Sequence, residues 1–567
     1  MQRRNFLTLF GLSSFTSSLS IFFPRPVSNV EPKKLEQKIT NKNHIAQIQN
    51  LSINSVDVRS FGPLISGITN LEYIIKANTE TIQTAINIVG QNGGGSIYIP
   101  QGIYQISPLD LNTQEPCSLL INYDNITLIG DGISKTILQS RGDYALINGR
   151  VVRGHGILIK GTQDPYNPRK NVTIKNLELN GSVKGFTGQR NWPADPNNGD
   201  GWDVTHKGIA LDFNTNLDNI NLDSIYVHDF RGELIYGGGG GIGKVTISKT
   251  QLKSSNASLL SLDADLTVTE CEFSETATAW VENAPISPNK SYQFYKCIFK
   301  DSIYQGLVIG QGNFPDNHNK TITNCSFSNS PDGVCVFNGV SNLIIKNNIF
   351  TDCKNSFITS GNNQKIEFSF NEINGITVGV TAANLAGNLQ NILIKNNVLT
   401  CSDVDKRACV YYWGDLQNIV IEDNIFENCR TPEQSSDINN ERPLFRNNQY
   451  LNVERRDFQG KSNFWQEPPY ILEPKYEEIL VANNTNNRSI QVNMSIDKYV
   501  DGQEVIIMVD SSRGNIKFPK KSSTIQCQKD RYLKRKDDKI RLKFQKADSK
   551  WYEIAYSSHI SSTENNV

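Results

Sequence analysis

From Ile126 onward one pattern of apolar and polar positions recurs: apolar, any, apolar, any, any, small or polar, any, apolar. It reads ITLIGDGI from 126, VTIKNLEL from 172, INLDSIYV from 220, VTISKTQL from 245 and LTVTECEF from 266. It continues as YQFYKCIF from 292, KTITNCSF from 320, LIIKNNIF from 343, IEFSFNEI from 366, ILIKNNVL from 392 and IVIEDNIF from 419, with a weaker last copy, PLFRNNQY, from 443. Most starts lie 21 to 28 residues apart; two early gaps of 46 and 48 each hold either two coils or one coil with a large loop. Alternation within each copy predicts strands. A period of this length predicts a solenoid with one supersecondary unit per turn.

The sixth motif position decides which solenoid. It runs Cys271, Cys297, Cys325, then Asn348, Asn371, Asn397, Asn424 and Asn448. Coils stacked at the strand spacing of roughly 4.8 Å place identical side chains over one another. A file of inward asparagines then bonds amide to amide and satisfies its buried polar groups, while cysteines there act as small apolar fillers. Cys353, Cys401 and Cys429 form a second file just after the motif. Free thiols are expected rather than disulfides. A leucine-rich repeat also stacks asparagines, but its fixed leucine pattern is absent. The expectation is an all-β chain built on a single-stranded parallel β-helix of about 12 coils.

Before the coils, Asn78 to Gly90 is helix-like: Ile82, Ala85, Ile86 and Val89 share one face, Asn78 or Thr79 suits the start and Gly90 the end. Such a helix plugs the open end of a solenoid. The ordered segments VRSFG, TIQTAINIV and GGGSIYIPQGIYQI, the last from 93 to 106, resemble the N-terminal part of the pectate lyase superfamily domain. That group of right-handed β-helices is related to polygalacturonases and phage tailspikes. With the coils, the resemblance covers roughly residues 54 to 450. It implies a right-handed helix and action on a polysaccharide. The acidic segment usual before the helix in that group is replaced here by Lys76-Ala77-Asn78-Thr79-Glu80.

The chain divides into an export signal (1–30), a linker (31–53), the cap segment (54–107), the β-helix (108–452), a second linker (453–469) and a small C-terminal β-sandwich or barrel (470–560). Arg3 and Arg4 ahead of Phe6-Leu7 resemble a twin-arginine export signal, which implies a bacterial protein in the periplasm or outside the cell. Beyond a possible N-terminal anchor, no apolar run reaches the ~20 residues a bilayer needs. A net charge of zero with 20% charged residues argues against a general nucleic-acid binder. The stretch from Lys517 to Lys550 is strongly basic, which suits either a solvated face or a cradle for an acidic glycan.

Candidate chemistry sits where further strands begin after each motif, as at Gly208, Gly232 and Gly306. Glycoside hydrolysis needs two carboxyl groups, one protonated and one ionised, roughly 5–9.5 Å apart, so carboxylates one or two coils apart fit. Elimination next to a uronate needs a base such as Arg, His or Tyr, with calcium held by Asp or Glu. Asp229, Glu233, Asp203 and Glu282 are the candidate carboxyl groups, and Arg231 and His228 keep elimination open. Trp192, Asp200, His206, Trp280, Asp301 and Tyr304 are candidates for holding sugar. Any one such aspartate serves equally as a turn residue.

Two look-alikes fail. Gly154-His155-Gly156 resembles the GHG of polygalacturonases but lacks that family's acidic partners on earlier coils. GGGGIGK (238–244) places Val245 where a phosphate-binding loop needs Ser or Thr, with a strand following instead of a helix. The expectation is therefore an exported polysaccharide-active protein that cleaves glycosidic bonds, by hydrolysis first and elimination second. The alternative is a non-catalytic glycan-binding or envelope protein. No cofactor is expected, apart from calcium in the case of elimination, and the sequence specifies no oligomeric state.

Overall fold

The computed structural model describes residues 55–108, 115–184, 186, 203–276, 282–286, 289–310, 318–376, 381–401, 408–428, 431–438, 443–451, 457–459, 470–472, 478–483, 490–496, 499–512, 516–535 and 538–558. The segments expected to be an export signal and first linker, and most of the second linker, lie outside them.

Each copy of the motif forms two strands joined at a bend. Lys244–Ser248 and Gln251–Ser255 make one such pair, Asp265–Thr269 and Glu272–Thr276 the next. All pair in parallel with their counterparts in adjacent coils: Val245 opposes Leu266, which opposes Tyr292. Among the described residues, these two ladders form one sheet of 25 strands, because the long strands Arg169–Asn180 and Leu217–Phe230 run through the bend unbroken. A third strand in each coil, such as Leu260–Leu262 or Gln305–Ile309, joins a separate parallel sheet with 12 described strands, the third sheet after the two ladders. The chain is a parallel β-helix.

Both long gaps hold a single coil with insertions. In the first, the hairpin Ala145–Ile147 with Arg150–Val152 precedes the third-sheet strand His155–Ile159. In the second, the chain leaves at Gly181 and returns at Ile209–Leu211.

The bend itself depends on the fifth motif position. Asn176, Ser224, Lys249, Glu270, Lys296, Asn324, Asn347, Phe370, Asn396, Asp423 and Asn447 all have φ between 48° and 57° there. This left-handed conformation costs an ordinary residue about 1–2 kcal/mol, and Asn tolerates it best. At the sixth position the asparagines stand in single file, as expected. Each side-chain amide donates to the Oδ1 of the next, at 3.0, 3.1, 2.9 and 3.0 Å from Asn348 to Asn448. Its second hydrogen reaches a carbonyl of the preceding coil, as from Asn371 to Ile345 at 3.0 Å. Cys325 N donates to Asn348 Oδ1 at 2.8 Å, so the cysteine file continues into the asparagine file. Cys271, Cys297, Cys325 and Cys353 are buried thiols; the side chains of Cys401 and Cys429 lie outside the described residues. At the eighth position Phe273, Phe299, Phe327 and Phe350 stack at 4.7, 4.8 and 4.9 Å between centroids.

The cap helix spans Glu72–Gln91, six residues earlier than the sequence suggested. Asn78 does not cap it. It lies buried inside, accepting from Ile65 N at 2.7 Å and donating to Ile65 O and Gln105 O, so its polar group serves the first coil instead of the helix end. The cap segment also supplies Gly95–Tyr98 and Gly102–Ile106 to the two ladders.

The C-terminal residues form a sheet of six strands and one of four, sharing a core of Val505, Ile507, Ile540, Leu542, Phe544 and Trp551 with Val492, Ile516, Phe518 and Leu533. Its early strands wind in parallel between the two sheets; Lys539–Gln545 and Lys550–Ser557 close it antiparallel.

Candidate functional site

Register places one residue from each coil in a row at the entrance to the third sheet. Ile157, Ile209 and Ile235 are partners, so His155, Lys207 and Glu233 occupy equivalent places two residues earlier. Backbone bonds confirm it: Gly156 N donates to Lys207 O and Gly208 N to Glu233 O. Further along the same row, Glu282 opposes Gln305, Gln305 opposes Asp332, and Asp332 opposes Asn355. Ile235 pairs with Leu260 and Leu262 with Ile286, which sets Glu282 two coils from Glu233. Two coils span roughly 9–10 Å. The row is polar because each chain turns there from the second ladder to the third sheet, where inward packing has not yet begun.

At the N-terminal end of this row several groups converge. Lys207 forms an ion pair with Glu233, largely shielded from solvent, and its Nζ sits 4.2 Å from the centre of the Tyr236 ring. The Glu115 carboxyl is pushed up to about 7 by desolvation first, then by the charge of Asp212 and a hydrogen bond shared with it; Lys160 and Lys207 pull the other way. Burial, then Glu233 and Glu115, push the Tyr236 phenol up to about 12. His155 is buried and accepts from Lys207 N at 3.3 Å, and burial holds it neutral down to about 3. One carboxyl raised to about 7 thus stands close to another that is ion-paired with a lysine. Asp332, further along, is raised by burial, against the pull of Asn355 and Gln305, and accepts from Asn355 at 2.6 Å.

The structure separates the residues that sequence spacing grouped. Asp203, His206 and Arg231 form a buried anchor for the long insertion. Asp203 pairs with Arg153 at 3.1 Å and accepts from Thr205 N and Oγ1; His206 Nδ1 accepts from Arg231 N at 3.1 Å. Asp203, His206 and Arg231 are 2%, 0% and 4% exposed, too enclosed to meet a polymer. Burial raises the Asp203 carboxyl against the pull of Thr205 and Arg153, and holds His206 far below its ordinary value.

His228 and Asp229 are brought together on the outer side of the second ladder. His228 Nδ1 lies 2.8 Å from Asp229 Oδ2 and its Nε2 3.1 Å from Glu178 Oε1, with the ring stacked on Tyr226 at 4.2 Å. Burial disfavours the imidazolium, but the two carboxylates outweigh it and raise the pKa. Asp229 and Asp301 both sit at the second bend of the coil with φ of 57° and 56°, and Asn329 donates to Asp301 at 2.7 Å. Tyr304 is half-buried beside Gln305, and its carbonyl accepts from Asp332 N. Trp192, Asp200 and Trp280, and the Glu282 side chain, lie outside the described residues.

Sequence reading missed Glu115, Asp212 and Lys207. Glu115 follows the cap segment and belongs to no motif copy, so only the return of its coil brings it to the row. The descent from Lys207 to Glu233 at equal offsets before Ile209 and Ile235 was the available signal. Among the described residues no three His, Cys, Asp or Glu side chains form a metal-binding group. No helix among them is long and apolar enough to cross a membrane.

The coils and their outward row define a right-handed parallel β-helix protein. The family described as "Right handed beta helix region" matches residues 286–455. No curated protein matches the chain. Solved structures similar to it include the A-module of the Azotobacter vinelandii mannuronan C-5 epimerase AlgE6, at 14% identity over 70% of this chain and 98% of that one, with a TM-score of 0.48. The tailspike protein of E. coli bacteriophage HK620, in complex with a pentasaccharide, aligns at 13% identity over 82% of this chain and 81% of that one, TM-score 0.44. A family 28 exopolygalacturonase of Yersinia enterocolitica aligns at 13% identity over 70% and 78%, TM-score 0.41.

Proposed function

We propose that the protein is a polysaccharide-cleaving glycoside hydrolase working at the entrance to the third sheet. The observation that carries this reading is a pair of carboxyl groups in different surroundings: Glu115, raised to about 7, and Glu233, ion-paired with Lys207. Hydrolysis needs such a division, with one group giving a proton to the leaving oxygen and the other acting on the sugar or on water. Glu115 is the general acid in this scheme, Asp212 a neighbour whose charge helps keep its proton on, and Glu233 the partner carboxyl. Lys207 orients Glu233 through their ion pair. The row continuing to Gln305 and Asp332 gives a polymer further polar contacts along the helix axis.

Reducing-end release from pectin, alginate and bacterial surface glycans, followed beside absorbance at 235 nm, tests this. Glu115→Gln and Glu233→Gln should each lower kcat at least about a hundredfold, within the range general acid–base catalysis supplies. Wild-type activity should fall as pH rises above about 7, as Glu115 loses its proton. Products absorbing at 235 nm would replace hydrolysis with elimination. Full activity in both variants would leave the third-sheet entrance as a binding surface only.

A further inference from the structure

The segment from Lys517 to Lys550 carries thirteen Lys and Arg against four Asp, a surplus of nine in a chain whose net charge is zero. The fold arranges part of this surplus in a line. Strand Lys539–Gln545 buries Ile540, Leu542 and Phe544 in the C-terminal core, so Lys539, Arg541 and Lys543 all point outward from the six-stranded sheet. Alternate residues on a strand recur every ~6.8 Å, which makes a straight, evenly spaced row of cations. Register supplies its borders. Met508 and Ile506 oppose Lys539 and Arg541 on one side; Ser557 and Ala555 oppose them on the other. Glu504 pairs with Arg541 and also lies 3.6 Å from Lys543, so one acid stands among three cations. Just before the strand, Asp538 accepts from Lys534 N and Arg535 N at 2.8 and 2.9 Å, fixing a turn whose two basic side chains are exposed at the end of the row.

We infer that this face binds an anionic polysaccharide, separately from the cleavage site on the β-helix. A straight row of cations at regular intervals suits a linear polymer with an anion on each repeat. The small and apolar residues beside the row offer flat surface for the apolar faces of sugar rings. A nucleic acid would instead be expected to meet aromatic platforms on which bases stack, whereas the residues beside Lys539 and Arg541 are Met508, Ile506, Ser557 and Ala555. A bilayer surface would attract the charges without needing their spacing. The rest of the chain, by difference, carries nine more acidic than basic groups, so the attraction belongs to this unit and not to the molecule at large.

The test titrates the full-length chain with polygalacturonate, alginate and neutral dextran. Both acidic polymers should bind and dextran should not, with affinity falling at least about tenfold between low and physiological salt, as multiple charge contacts require. The triple variant Lys539→Gln, Arg541→Gln, Lys543→Gln should lose about tenfold or more in affinity for the acidic polymers at low salt and keep a wild-type melting curve, since all three side chains lie outside the core. Cleavage of short oligosaccharides by the triple variant should match that of wild type, which separates this face from the cleavage site. Unchanged binding by the triple variant overturns the assignment. So does equal or tighter binding of wild type to dextran, to duplex DNA or to vesicles rich in phosphatidylserine.

Discussion

His228 shows how position rather than residue type sets behaviour. Three histidines lie within this stretch of the helix, and two of them, His155 and His206, are buried and held neutral. His228 alone faces two carboxylates, Glu178 and Asp229, and its pKa is raised. The stability this site contributes is therefore fully present below the unfolded value of about 6.5, and is lost as pH rises through the higher folded value. Melting temperatures at pH 6 and pH 8 should show a larger loss in wild type than in His228→Asn. Equal losses in the two proteins would remove the histidine from the account. The asparagine file makes a second case. Asn371→Ala leaves the backbone and side-chain donors of Asn348 without their acceptor and the Ile345 carbonyl without its donor. Each buried group left unmade costs ~1–3 kcal/mol, so a loss of about 3 kcal/mol or more in chemical denaturation is expected.

The coil is held by two different devices on either side of one bend. Inside, the phenylalanine stack and the asparagine file fix spacing and register. Phe327 has Phe299 and Phe350 on either side at 4.8 and 4.9 Å, and Phe327→Ala should cost about 3–5 kcal/mol by emptying the middle of that stack. Outside, the left-handed residue just before the sixth position turns the chain. Lys249 holds φ of 48° with a side chain poorly suited to it, whereas Asn occupies that place in five other coils. Lys249→Asn should therefore stabilise the protein by a few tenths to about 1 kcal/mol, read as a shift in denaturation midpoint without change in slope. The motif's any-residue fifth position hid this requirement, because Lys, Glu and Phe also occupy it, at a cost that Asn largely avoids.

For the β-helix as a body, the consequence of stacking is that a single sequence offset becomes a line of side chains along the axis. Glu233, Glu282 and Asp332 fall at intervals of two coils on that line. A substrate lying along it gains contacts with every added sugar until it spans the row. Cleavage rates for defined oligosaccharides should accordingly rise with length and level off, with short fragments cut slowly. A rate independent of length would confine recognition to the cluster around Lys207.

Much of the architecture was written in the order of residues alone. Twelve motif copies, the change from Cys to Asn at their sixth position and the strand alternation determined a parallel β-helix, because those features depend only on which side chains recur at a fixed interval. The sequence also marked the starts of the third-sheet strands near Gly208, Gly232 and Gly306. It did not determine that Asp203, His206 and Arg231 close up into a buried anchor, or that Asp229 and Asp301 serve as bends. Nor did it reveal that Glu115, outside every repeat, meets Asp212 and the lysine paired with Glu233. Burial and charge are sums over neighbours from separate coils, and those neighbours exist only once the chain has wound back upon itself.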